Sequence, residues 1–299
     1  MIGPIRSLLF VPGTRPDRFP KAIDAGADAV AFDLEDSVEP SQKDRARSLI
    51  AEFLVVPSAS HVLRLVRFNA LDTAAGAADL AFFRAVDGFD GVLLPKVETP
   101  GVLEMASRAF AASEPSRPAV PLLPLLESPR AIVRAADIAA ADAHVAALLF
   151  GAEDLTAQLA VPRTVDGEEL IVARGQVVLA AAAVAAEAID AVLTNLDDLT
   201  ALRRDCERAR RVGFRGKMAI HPKQVPVINE VFTPSAAEVD RARRVIEAYD
   251  AAAAAGEGVT RMGQQMIELP VVERARRTLA LAARYHVGRA LPGPAERAE

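Results

Sequence analysis

The stretch AVAFDLED, residues 29–36, decides the fold. Four apolar positions run straight into Asp33, and Glu35 and Asp36 follow at once. A strand with one face in water alternates apolar and polar residues, whereas an unbroken apolar run marks a strand buried on both faces, as in a parallel sheet. The same construction recurs in SLLFVPG (7–13), VLRLVRFN (62–69), GVLLPKVE (91–98), PLLPLLES (121–128), VAALLFGAED (145–154), IDAVLTNLDD (189–198) and KMAIHP (217–222). The starts lie roughly thirty residues apart, the length of a strand plus a returning helix. Eight such units predict an α/β chain folded as a (β/α)8 TIM barrel. That architecture keeps its active site at the carboxyl ends of the strands, so the polar stops are where chemistry is sought.

Helices are expected between the runs, at 16–25, 41–53, 76–86, 99–112, 129–140, 168–188 and 198–212. The first opens on Pro16 and Asp17 and closes at Gly26, suitable N-terminal and C-cap residues. Pro121 and Pro124 argue against a regular fifth strand, which should begin near Leu122 or Leu125. LTAQLAVPRTVDGEEL, 155–170, reads as an extended loop over the carboxyl face. The barrel domain is placed at 1–228. A C-terminal helical extension at 229–299 has helices at 234–255 and 270–285 around a Gly-containing segment at 256–263, and a frayed end, ALPGPAERAE.

Composition narrows the function. The 299 residues are 51% hydrophobic and 25% charged, enough for one large core and an appendage. A net charge of −5 without a long basic stretch excludes nucleic acid and anionic membrane as main partners. The lone cysteine, Cys206, has no internal disulfide partner, and four histidines show no metal spacing, so a cytoplasmic protein is expected. The apolar stretch from Leu8 to Val11 is too short for a membrane span or signal core.

At the strand ends, Glu127 and Asp154 follow runs too apolar to leave carboxylates unpartnered. A divalent cation would satisfy both, and oxygen donors without histidine or thiol favour Mg²⁺ or Mn²⁺. The alternative is that each caps a helix or pairs with Arg130 or another arginine. Asp33, Glu35 and Asp36 repel one another unless something positive lies between them, and would bind the same ion or hold its waters. Asp36 or Ser37 also suits a helix N-cap. Arg67, with Asn69 closing the third strand, has donors suited to a substrate carboxylate or enolate oxygen, or to a plain salt bridge with those acids. Lys96 reads as a protonated point charge rather than a Schiff-base lysine, and His221 as a packed structural residue. Gly13, with the helix start flanked by Arg15 and Arg18, is a plausible phosphate cradle. The stops after the fourth, seventh and eighth strands are expected to be structural or peripheral.

The series LLFVPGTRPDRFPKA, FDLEDSV, VRFNALDT, LPKVE, LLESPRA, FGAEDL, GKMAIHPKQV and MIELPVVERARR resembles, in order and over nearly the whole chain, the citrate lyase beta subunit and malyl-CoA lyase group of the HpcH/HpaI aldolase superfamily. The resemblance implies a TIM barrel, usually a homotrimer, that uses Mg²⁺ to make or break a carbon–carbon bond between a coenzyme A thioester and a 2-keto acid. Within it, Glu127 and Asp154 match the metal-ligating carboxylates. Glu35 and Asp36 match acids that position metal-bound water, and Arg67 matches the arginine facing the substrate. The family's C-terminal lid carries an aspartate that reaches a neighbouring subunit's site; here Glu268 stands in its place. Arg15, Arg18 and Lys21 are the basic residues offered to the coenzyme A phosphates.

Overall fold

The computed structural model describes residues 2–57, 60–111, 119–164, 166–285 and 287. Eight parallel strands close on themselves in chain order: β1 (Ser7–Pro12), β2 (Ala29–Asp33), β3 (Leu63–Arg67), β4 (Gly91–Leu94), β5 (Leu122–Leu126), β6 (Ala147–Phe150), β7 (Glu187–Asp190) and β8 (Gly216–Ala219). β1 completes the ring by pairing with β8, Leu8 opposite Met218. The helices between strands are α1 (Phe19–Ile23), α2 (Lys43–Leu54), α3 (Ala74–Phe83), α4 (Pro100–Ala111), α5 (Pro129–Val133), α6 (Ala135–Ala139), α7 (Ala152–Leu159), α8 (Ile171–Ala183) and α9 (Leu199–Val212). The expected TIM barrel is therefore present. Among the described residues no helix is long and apolar enough to cross a membrane.

The two faces of each strand do different work, because successive side chains point to opposite sides. Leu8, Ala29, Ala31, Leu65, Leu93, Leu123, Leu125, Leu149, Ile189 and Met218 pack together inside the barrel. Leu9, Val30, Phe32, Val66, Val92, Leu122, Leu148 and Ala219 take the other parity and pack against the helices. There Phe32 meets the edge of Phe19 at 4.9 Å between ring centroids, a favoured aromatic geometry.

Several expectations need correcting. β5 does begin at Leu122, one of the two expected starts, but Pro124 lies within it. The missing amide is accommodated by a slip: Leu122 bridges Val145, yet Leu125 pairs with Leu149, so three residue steps on β5 face four on its neighbour. Such a one-residue bulge leaves the ladder locally unpaired, which is what proline needs. The stretch 155–159, read as loop, is helical and belongs to α7. The helix expected over 168–188 ends at Ala183, and Glu187 begins β7 after Ala185 turns left-handed at φ +57°. The helix expected over 129–140 is broken at Arg134 into α5 and α6.

The chain divides into two units, Met1–Phe232 and Thr233–Glu299. The first ends with α10 (Val225–Phe232), whose Asn229 accepts from Ser7 Oγ at 2.7 Å. The second contains α11 (Ala236–Ala254), opened by a Ser235/Glu238 capping box, and α12 (Leu269–Arg284). Between them the Gly-containing segment folds as an antiparallel hairpin, β9 (Thr260–Met262) and β10 (Gln265–Ile267). Ala242, Val245, Ile267, Val272 and Ala275 form this unit's core. The frayed end expected at 290–299 lies outside the described residues.

Four charges are buried between β7, β8, α8 and α9. Lys217 Nζ donates to Asp190 and Asp205 at 2.6 Å each, and Arg174 donates to the same two carboxylates at 2.9 Å. Burial alone would raise the Asp205 carboxyl, but Lys217 and Arg174 outweigh it and hold it well below the usual carboxylate range. A depressed folded-state value means the network's contribution is intact above the unfolded pKa of about 4 and is lost as pH falls below it. Asp205→Asn should therefore cost about 3–5 kcal/mol at pH 7, because it strands buried positive charge. It should also flatten the loss of stability between about pH 4 and 2, measured as denaturant midpoint against pH.

Candidate active site

A cavity of about 410 Å³ opens at the carboxyl ends of the strands. Phe10, Pro12, Asp33, Arg67, Leu125, Glu127, Gly151, Met218 and Ile220 line it, and each lies on the inward parity of its strand or one step beyond the strand end. Asp36, Ser37, Phe150, Ala152, Glu153, Asp154 and Val192 complete the wall. The barrel thus brings acids distant in sequence together with apolar groups around one space.

Arg67 is the positive centre that the three acids after β2 require. Its Nε and Nη2 donate to the two oxygens of Asp33 at 2.7 Å each, a bidentate clamp. Its Nη1 donates to Asp36 Oδ2 at 3.2 Å and lies 2.8 Å from Glu35 Oε2. The guanidinium also stands 4.9 Å from the Phe10 ring centroid. Burial opposes its charge, but hydrogen bonds and attraction from Asp33, Glu35 and Asp36 raise its pKa further. The salt-bridge and cavity readings of Arg67 hold together.

The acids are not equivalent. Asp33 accepts from Arg67, from Ser37 Oγ at 2.5 Å and from the Glu35 amide at 2.8 Å, so its hydrogen-bonding capacity is spent on holding the loop. Burial would raise its carboxyl, yet those bonds bring it below the ordinary value. Glu35 is also buried, and burial wins there over Arg67 and Lys96, pushing its carboxyl up. Glu35 Oε2 has no aligned hydrogen-bond donor despite its closeness to Arg67. Neither Asp36 nor Ser37 caps a helix; the N-cap of α2 is Gln42.

Glu127 follows β5 and precedes Ser128, the N-cap of α5. Its Oε1 accepts the Lys96 amide at 2.7 Å. Arg130 turns instead toward Glu98 at 3.8 Å. Burial, then the charges of Glu35 and Asp154, push the Glu127 carboxyl up to about 8. Asp154 lies in the first turn of α7 rather than at the strand end, and still reaches the cavity wall. Among the described residues no group of three or more His, Cys, Asp or Glu side chains gathers at metal-binding spacing. The lining holds five carboxylates and neither His nor Cys. Asp33 and Asp36 are engaged by Arg67 and Glu153 by Arg163, which leaves Glu127 and Asp154 on offer to a cation, with Glu35 Oε2 buried beside Arg67. That fits an ion of the Mg²⁺ kind, which keeps several waters and takes one or two carboxylates.

The fourth polar stop is not peripheral, contrary to expectation. Lys96 Nζ donates to Glu35 Oε1 at 2.5 Å while its backbone serves Glu127. It does so from φ +53°, a left-handed conformation that costs a non-glycine residue about 1–2 kcal/mol. Pro95 before it hinted at an irregular backbone, but no local pattern names the two partners. His221, by contrast, is a local cap, its Nδ1 accepting the Lys223 amide. Asn69 turns away from the cavity to Asp79 on α3, at 2.6 Å. Gly13 is explained by packing rather than phosphate: a Cβ there would lie 2.6 Å from the Asp33 carbonyl oxygen that accepts its amide. Arg15, Arg18 and Lys21 are exposed and absent from the cavity lining, and Arg15 pairs with Asp17 at 3.0 Å. Glu268 is exposed in the second unit, at the N-cap position of α12, where its side chain accepts no cap hydrogen bond.

Gly151 admits Glu127 to its place, since a Cβ there would stand 2.4 Å from Glu127 Cβ and 2.9 Å from Oε2. Gly151→Ala should cost about 1–3 kcal/mol through this overpacking. Adding Glu127→Gly, which removes the clashing Cβ, should recover part of that loss, and a denaturant double-mutant cycle reads the coupling.

The sequence profile of the HpcH/HpaI aldolase/citrate lyase family matches residues 6–222. The citrate lyase subunit beta of Leuconostoc mesenteroides subsp. cremoris is 36% identical over 287 residues, covering 94% of either chain. A (3S)-malyl-CoA thioesterase of Cereibacter sphaeroides is also 36% identical, over 279 residues, 93% of this chain and 95% of the relative. Among solved structures, the CitE protein of Mycobacterium tuberculosis in complex with magnesium, acetoacetate and coenzyme A superposes with a TM-score of 0.78 at 33% identity, covering 94% of this chain and 98% of that one. Barrel, strand-end acids and near full-length similarity together place the chain in the HpcH/HpaI aldolase/citrate lyase family, a family of lyases.

Proposed function

We propose that the protein is a Mg²⁺-dependent carbon–carbon lyase that cleaves, or forms, a 3-hydroxyacyl-CoA thioester such as malyl-CoA, citramalyl-CoA or citryl-CoA, giving acetyl-CoA and a 2-keto acid. The observation that carries this reading is the cavity wall itself, where Glu127, Asp154 and Arg67 line one space together with Phe10, Leu125, Phe150, Val192, Met218 and Ile220. The magnesium and coenzyme A held by the Mycobacterium tuberculosis protein support it.

Glu127 and Asp154 would hold the cation, which would supply a Lewis acid that lowers the pKa of the substrate hydroxyl so that a base can take its proton as the carbon–carbon bond breaks. Glu35 and Asp36 position water beside it. Arg67, oriented by Asp33, offers positive charge to the substrate carboxylate and to the enolate oxygen that develops as the carbon–carbon bond breaks. The apolar wall keeps water from that enolate, and Glu268 donates the proton to its carbon. The exposed Arg15 and Arg18, on the turn after β1, and Lys21 on α1 would meet the coenzyme A phosphates. A homotrimer would bring Glu268 to a neighbour's site, and the exposed Ile171, Val172 and Leu179 on α8 offer apolar surface for assembly.

The deciding experiment is a screen of the three thioesters with Mg²⁺, reading keto-acid release and free thiol separately. Keto acid with acetyl-CoA and no thiol is expected. Thiol without keto acid would make the protein a hydrolase, as the Cereibacter sphaeroides relative is named. Turnover of free hydroxy-keto acids alone would make it a CoA-independent class II aldolase. Turnover only of an acyl-carrier-protein thioester would make it the beta subunit of a citrate lyase complex.

Asp154→Asn should abolish Mg²⁺-dependent thermal stabilisation and lower turnover at least about a hundredfold; unchanged turnover would sink the metal assignment. Glu268→Ala should lower kcat by about a hundredfold while leaving the Mg²⁺ affinity of the protein within error, measured by calorimetry. An unchanged kcat would return Glu268 to a solvated carboxylate.

A further inference from the structure

Among the described residues three non-glycine positions have positive φ, and two of them have a local cause. Ala160 closes α7, and Ala185 follows the end of α8. Left-handed residues are common at helix ends. Lys96 follows a strand instead, two residues past Leu94, so no helix end accounts for it. Strain of this kind persists only where the surroundings over-determine it. Here the surroundings are two acids. The Lys96 amide donates to Glu127 Oε1 at 2.7 Å, and its ammonium donates to Glu35 Oε1 at 2.5 Å. Each carboxylate thereby has one oxygen fixed. Glu35 Oε2 stays buried 2.8 Å from Arg67 Nη1 without an aligned hydrogen bond, and Glu127 Oε2 lies against Gly151 beside the cavity.

We infer that Lys96 is a positioning residue, which from one left-handed backbone selects the oxygen that Glu127 and the oxygen that Glu35 present to the reaction centre. It rests on the reading of Glu127 as metal ligand and Glu35 as water-positioning acid. A lysine held in this way acts neither as a Schiff-base nucleophile nor on the substrate directly. Its ammonium is held on Glu35 Oε1 at 2.5 Å. The residue ties the ends of β2, β4 and β5 into one constellation, so a change at Lys96 reaches catalysis through Glu35.

The test uses the full-length protein and the thioester turned over in the screen above, with Mg²⁺ alone as a second probe. Lys96→Met keeps the amide to Glu127 and removes the ammonium. It should lower kcat at least about tenfold with little change in KM. By calorimetry it should bind Mg²⁺ within about threefold of wild type. Lys96→Arg, which keeps a cation, should recover most of the loss. Glu35→Gln combined with Lys96→Met should be no slower than Glu35→Gln alone within about threefold, because both act through one group. Losses that multiply, or a Lys96→Met enzyme with unchanged kcat, overturn the inference while leaving the metal site standing. Equal losses in Lys96→Met and Lys96→Arg, with melting temperatures in EDTA lowered alike, mark a purely structural residue and also overturn it. Absence of Mg²⁺ binding by the wild type overturns the site reading itself, and this inference with it.

Discussion

Closure of eight parallel strands is the constraint on which everything else rests. A closed ring has no sheet edge, and it gives every strand one face toward the barrel axis and one toward the helices. The inward parity runs through Leu8 and Phe10, Ala29, Ala31 and Asp33, Leu65 and Arg67, Leu123 and Leu125, then continues one step to Glu127. Small residues and leucines fill the interior until, at the carboxyl mouth, the same parity delivers charge. A slip of one residue in β2 would send Asp33 to the helix layer and bring Phe32 inside. The site therefore depends on register, and register is held by the apolar packing on both faces.

Charge is settled differently at the mouth and in the outer layer. Outside the barrel, Asp190 and Asp205 meet Lys217 and Arg174, two against two, with each carboxylate bonded to both cations. With Arg208 adding a longer contact to Asp205 at 3.4 Å, that group leaves neither acid unpaired and fastens α8 and α9 to the sheet. At the mouth, Asp33, Glu35 and Asp36 surround Arg67, Lys96 pairs with Glu35, Lys43 holds the carbonyls of the same loop, and Glu127, Glu153 and Asp154 add further acids to the wall. Burial first, then the charges of Glu35 and Asp154, push the Glu127 carboxyl up to about 8. A divalent cation held there would favour its charged form.

The fold was largely legible because continuous apolar runs, turn residues and a roughly thirty-residue spacing all point one way. Pro124 shows the limit of local rules. Proline argues against a central strand, yet the slip between β5 and β6 absorbs its missing amide, and such a slip involves two strands at once. The boundary near Glu187 was misplaced for a related reason, since an Ala-rich helix continues on paper until a left-handed residue stops it. At the site, the acids and Arg67 stood out as polar stops. Lys96 and Gly151 did not, because their roles are relations to Glu35 and Glu127, which lie far along the chain.

By itself the sequence determined the strand count, the parallel barrel and the polar groups gathered at its carboxyl end, because hydrophobic periodicity and turn chemistry are local properties written in the order of residues. Only the tertiary structure decided which acids are free. Strands buried on both faces carry no alternation, so parity could not be read from the run AVAF. Folding put Asp33 under the Arg67 clamp, left Glu35 Oε2 without a donor, and sent Asp190 and Lys217 outward. Which partner each charge finds is settled in three dimensions, where burial and distance set the energy of a charge.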